Sequence, residues 1–118
     1  MIIILYICAE KFLRFMVIEF ENEEIENLVK HKYTGKYKKF RSNAKLIRNL
    51  DKVIKYLLAA KDIVAVGEIT SLHYEPLTGS PYSSVRVGFD TKYRLIFNEK
   101  EDKLTLLLIE LNEHYGDH

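Results

Sequence analysis

The clearest periodicity in the chain lies between residues 42 and 58. Leu46, Ile47, Leu50, Val53, Ile54, Leu57 and Leu58 recur at i, i+3, i+4 and i+7 spacing, and so share one stripe of a helix that begins near Ser42 or Asn43. Arg41, Lys45, Arg48, Lys52 and Lys55 repeat at the same spacing on its other side. Upstream, residues 16–20 are apolar around Glu19 and read as a strand. Asn22 followed by Glu23, Glu24 and Glu26 is an N-cap with acids in the first turn, opening a helix whose apolar positions are Ile25, Leu28 and Val29. Gly35, among Thr34, Lys36 and Lys38, ends or interrupts it.

After Lys61 the pattern changes to short β-like runs. Residues 84–87, 92–97 and 104–111 are rich in Val, Leu, Ile, Phe and Tyr, separated by Gly88, Asp90 and the polar run 98–103. They predict an antiparallel meander. The last run is apolar on both faces, as suits a central strand. A strand, two helices and three strands make an α+β domain, with the two N-terminal helices packed on a small antiparallel sheet.

Composition narrows the class. With 118 residues, 47% of them apolar and 30% charged, the chain is one ordinary domain with no room for a second. The single cysteine, Cys8, excludes an internal disulfide framework and fits a reducing compartment. No stretch approaches the roughly 18 apolar residues of a membrane span. The apolar run 1–9 is broken by Glu10 and Lys11 and lacks a preceding basic region, so it makes a poor signal peptide, and a cytoplasmic location is expected.

Charge adds more than the overall +1 suggests. Residues 1–29 carry a net −4 and residues 62–118 a net −5, while residues 30–61 hold eleven Lys or Arg against one acid, Asp51, for a net +10. A block this dense in an otherwise acidic protein is the footprint of a phosphate-backbone or acidic-protein contact; the alternative is a solvated, lysine-rich helix face.

Two further arginines stand on the predicted hairpin. Centring its turn on Asp90 places Val87 opposite Tyr93 and Val85 opposite Leu95, which keeps one face apolar, and puts Arg86 opposite Arg94 on the other. Like charges facing each other across a pair are destabilising by about 0.2–1 kcal/mol unless an anion or acid lies between them. Phosphate matches the guanidinium fork; salt bridges to Glu68, Glu75 or Glu110 are the alternative. His73 and Tyr74 precede this hairpin, and the chain ends with His114, Tyr115, Asp117 and His118. A conjunction of Arg, His and Tyr around one sheet face suits general acid–base chemistry on a phosphate.

The stretches Ser71-Leu-His-Tyr-Glu-Pro-Leu-Thr-Gly79, Ser84-Val-Arg-Val-Gly88, Lys92-Tyr-Arg-Leu-Ile-Phe97 and Glu113-His-Tyr-Gly-Asp117 together resemble the RelE/ParE superfamily of bacterial toxins, in its HigB-like branch of plasmid-maintenance killer proteins. Gly35-Lys-Tyr-Lys-Lys39 is similar to a segment of the same branch. The resemblance covers residues 16–118. Residues 1–15 have no counterpart and are read as an N-terminal extension or a mis-assigned start.

This resemblance implies a ribosome-dependent messenger RNA endonuclease that needs no metal or cofactor. The ribose 2′-hydroxyl attacks the adjacent phosphorus, with a base, cations on the phosphate and an acid for the leaving oxygen. Carried over by position, Arg94 would hold the scissile phosphate and Arg86 would assist. His114 and Tyr115 would supply acid, base or base-stacking roles, and His73 would serve as a further proton donor or acceptor. Lys36, Lys38, Lys39, Arg41, Lys45, Arg48, Lys52 and Lys55 would bind ribosomal RNA. The implied partner is a helix-turn-helix antitoxin, HigA-like, in a complex of two toxins and two antitoxins. Three other readings remain: a ParE-like toxin that inhibits gyrase by protein contact, a non-catalytic RNA-binding module, and a metal site at His114, Asp117 and His118.

Overall fold

Asn22 accepts a hydrogen bond from the Ile25 amide at 3.0 Å, and the chain turns there from strand β2 (Val17–Phe20) into helix α1 (Glu23–Val29). This is the N-cap read from the sequence. Three acids in the first turn complement the helix dipole, and Ile25 and Leu28 are the residues it buries. Our computed structural model describes residues 2–3, 16–88, 92–102 and 104–113, the first pair through the backbone alone. Ile2–Ile3 form a short strand, β1, antiparallel to β2, with Ile2 opposite Glu19 and Ile3 opposite Ile18.

Gly35 is not what ends α1: the helix stops at Val29, with Lys30 as its C-cap and His31 in the left-handed region at φ 64°, and Gly35 begins the next element. The Gly35 φ of +57°, a conformation that favours glycine, starts a 3-10 segment over Gly35–Phe40 that buries Tyr37 and Phe40. Asn43 then caps α2 (Ala44–Ala59), its side chain accepting from the Leu46 amide at 3.1 Å. The apolar stripe of α2 is buried at Leu46, Leu50, Val53, Ile54 and Leu57, in one core with Ile18, Phe20, Val85, Leu95, Phe97, Leu106 and Leu108 of the sheet.

Residues 62–72 depart from the expected β-like pattern. A five-residue helix, α3 (Ile63–Gly67), is capped by Asp62, which accepts from the Ala65 amide at 2.9 Å, and a 3-10 turn, Thr70–Leu72, follows. Both are too short for apolar periodicity to register. The edge strand β3 (Glu75–Pro76) then leads to the meander of β4 (Tyr82–Arg86), β5 (Arg94–Glu99) and β6 (Thr105–Asn112).

The sheet order is β1-β2-β6-β5-β4-β3, which makes β6 central among the longer strands, as its apolar faces predicted. The sheet is not wholly antiparallel: β2 pairs with β6 in parallel, Ile18 opposite Leu106 and Phe20 opposite Leu108. The helical crossover brings the chain back to start β4 in the direction of β2, and two reversals later β6 runs that way again. A bulge between Ile96 and Phe97 leaves Ile109 as the extra residue of β6. Alternation sends Ser83, Val85, Leu95 and Phe97 to the helix-covered face and Ser84, Arg86, Arg94 and Ile96 to the other. No helix among the described residues is long and apolar enough to cross a membrane.

Candidate active site

The register argued from burial is the one adopted. Val85 faces Leu95, Arg86 faces Arg94, and the Val87 amide donates to the Tyr93 carbonyl at 3.0 Å. Asp90, on which the turn was centred, lies outside the described residues.

Arg94 is only 5% exposed, so its charge must be matched from within. Its Nε donates to Ser84 Oγ at 2.9 Å, one Nη donates to the His73 carbonyl, and the Ser84 carbonyl lies 3.4 Å from the same nitrogen. The His73 carbonyl can reach because the residue sits in the left-handed region, φ 45°, where it ends the 3-10 turn. Burial lowers the pKa of the guanidinium; the Glu75 carboxylate raises it and Arg86 lowers it again. An arginine so placed stays protonated.

His73, Tyr74, Glu75, Arg86 and Arg94 line one open recess of about 380 Å³. Three of the expected catalytic residues, His73, Arg86 and Arg94, are therefore brought together. Of the acids named as alternative partners for the arginines, Glu75 is the one in the recess, placed there by its pairing with Ser84. Glu110 instead lies 3.6 Å from Lys36. Two guanidinium groups, an imidazole and a carboxylate around one opening can clamp a phosphate oxygen and move a proton beside it.

His114 and Tyr115 lie outside the described residues, as do Asp117 and His118. They follow Asn112, the register partner of Arg94 on β6. Among the described residues no group of three or more His, Cys, Asp or Glu is placed to hold a metal ion.

The eight basic residues assigned to RNA divide between two sides of the molecule. Lys45, Arg48, Lys52 and Lys55 are exposed along α2, opposite its buried stripe, and none of the ion pairs among the described residues involves them. That ridge points away from the sheet, on the side remote from Arg86 and Arg94. Lys36 and Lys39 stand instead at the end of β6, paired with Glu110 and Glu113 beside a small cleft that Asn112 also lines. Lys38 and Arg41 are exposed between the two. The cluster of Lys36, Lys38, Lys39 and Arg41, irregular in the sequence beside the helical ridge, is carried by the 3-10 segment and its C-cap, with Tyr37 and Phe40 anchoring it in the core.

Sequence reasoning passed over the serine that holds Arg94. Ser83 and Ser84 stand between Tyr82 and Val85 of β4, and two adjacent hydroxyls on a pleated strand must serve opposite faces, a signal that was legible.

No family model matches the chain, and no curated protein sequence matches it. A solved structure does: a YoeB/ParE toxin from Agrobacterium tumefaciens aligns with a TM-score of 0.51 at 14% identity, over 83% of this chain and 98% of that one. The chain thus shares the fold of that toxin, in agreement with the mixed α+β architecture described above.

Proposed function

We propose that this protein is the toxin of a type II toxin–antitoxin pair, HigB-like, and acts as a ribosome-dependent messenger RNA endonuclease. The observation that carries the reading is the Arg86–Arg94 pair opening, with His73, into one recess on the sheet face turned away from the helices. Two like charges held opposite each other cost stability in the free protein and become an asset when an anion lies between them.

In this reading the scissile phosphate enters the recess and its oxygens are met by Arg94 and Arg86. Arg94 is already fixed by Ser84 and the His73 carbonyl, so little reorganisation accompanies charge build-up at phosphorus. A base takes the proton of the 2′-hydroxyl, whose oxygen bonds to phosphorus as the bond to the 5′-oxygen breaks. An acid protonates that leaving oxygen. His73, His114 and Tyr115 are the candidates for these proton transfers. The α2 ridge would grip ribosomal RNA from the opposite side, and a helix-turn-helix antitoxin, in a two-plus-two complex, would be the neutralising partner.

The test is primer extension on a message under translation in a reconstituted system, with the protein, its Arg94→Ala variant, and a control lacking ribosomes. New ends within codons, present only with ribosomes and lost in the variant, are expected. Intact message would refute the reading and turn attention to gyrase.

A further inference from the structure

Tyr74 sits between the two residues whose positions matter most to the recess. His73 gives its carbonyl to Arg94, and Glu75 pairs with Ser84 and lines the opening. Tyr74 itself turns the other way, over the sheet edge and into the helix-covered side. Its ring stacks on Phe97 with centroids 6.4 Å apart, and its hydroxyl donates to Glu99 Oε2. The Ser83 hydroxyl donates to the same carboxylate oxygen, and the two hydroxyl oxygens are 3.5 Å apart. Burial first, and the Glu99 carboxylate second, raise the pKa of the Tyr74 phenol, so it remains a donor at physiological pH.

The strap 73–75 is joined to the sheet by the pairing of β3 with β4 and to the preceding turn by the His73 amide, which donates to the Thr70 carbonyl. β3 is two residues long at the edge of the sheet, and both of its residues are exposed. His73 is held in a left-handed conformation that a non-glycine residue adopts only when its surroundings require it. The neighbouring serines tie the arrangement together through the sheet, Ser84 holding Arg94 on one face while Ser83 holds Glu99 on the other.

We propose that Tyr74, Ser83 and Glu99 form a latch on the back of the sheet that positions the Arg94 guanidinium, by clamping the strap whose His73 carbonyl receives it. They are positioning residues: Tyr74 contributes to the lining of the recess, but its hydroxyl, with Ser83 and Glu99, lies on the opposite face of the sheet from the arginines. The part that concerns activity rests on the nuclease reading above, whereas the part that concerns Arg94 does not.

The test uses the full chain and two readouts. The first is exchange of the Arg94 Nε proton with water, followed in nitrogen-15 spectra of the free protein. Tyr74→Phe keeps the ring on Phe97 and removes only the donor, and is expected to speed that exchange about tenfold. Glu99→Gln keeps an acceptor oxygen and is expected to restore most of the protection that Glu99→Leu loses. The second readout is message cleavage, where Tyr74→Phe should lower kcat about tenfold or more with KM little altered. Unchanged Arg94 exchange in both Tyr74→Phe and Glu99→Leu would overturn the latch, whether or not the protein cuts RNA. Altered exchange in a protein that never cuts would leave the latch standing and remove the nuclease reading instead.

Discussion

Arg94 donates from Nε to the Ser84 hydroxyl at 2.9 Å, across the β4–β5 pair and on the face away from the core. A guanidinium at this depth is costly unless its donors find acceptors, and the Ser84 hydroxyl and the His73 carbonyl supply two, with Ser84 itself wholly buried. Removing the hydroxyl leaves that nitrogen buried without its partner. Ser84→Ala is therefore expected to destabilise the protein by about 1–3 kcal/mol and to weaken cleavage in the same preparation. Thermal unfolding beside primer extension checks both, and a variant as stable as the parent would contradict the assignment.

Arg86 carries the opposite expectation for stability. It faces Arg94 directly and adds to the forces lowering that group's pKa. Arg86→Met keeps the stem and removes the repulsion, so it should stabilise the fold by about 0.2–1 kcal/mol. On the proposed nuclease reading cleavage should fall, because a phosphate in the recess would lose one of its two cations. A melting temperature that rises while activity drops is the signature to look for.

The ridge on α2 should act independently of the recess, since it lies on the other side of the molecule. Replacing Lys45, Arg48, Lys52 and Lys55 together by alanine is expected to reduce the slope of log affinity against log salt for RNA by about 3. Stability should hardly change, as these four are exposed. An unaltered slope, measured by binding titrations at several salt concentrations, would show that the ridge carries no phosphate contacts.

Gly35 is a test of the break between the basic clusters. At φ +57° an added Cβ would fall 1.6 Å from Glu24 Oε2, the oxygen that accepts the Lys36 amide at 2.7 Å. Gly35→Ala therefore combines a left-handed alanine with loss of that bond, and should cost about 1–2 kcal/mol. Chemical denaturation would read this directly.

Acid should act on the turn into β6. The Asp102 carboxylate accepts from the Leu104 amide at 2.8 Å and from the Thr105 amide and hydroxyl, each at 2.9 Å. The Leu104 amide bond is the main cause that lowers its pKa. A carboxylate whose pKa is lower folded than unfolded contributes stability above its unfolded value, near about 3.9, and loses it as pH falls through the folded value. Asp102→Asn should thus be less stable than the parent at pH 7, with the difference shrinking below about pH 4. Melting curves across that range decide it.

Local patterns were enough to find α1, α2, both N-caps and the three strands of the meander, because periodicity and capping act within a few residues of chain. The Arg86–Arg94 pairing was legible for the same reason: a slip of one residue would have turned Val85 and Leu95 out of the core. The parallel pairing of β2 with β6 was not, since residues 18 and 106 meet only after the whole helical crossover has closed. Nor could spacing along the chain show that Lys36 and Lys39 lie apart from the α2 ridge, or that the Tyr74 hydroxyl and the His73 carbonyl serve opposite sides of one sheet. Those relations depend on which buried residues the rest of the fold places between them, and no local stretch of sequence carries that information.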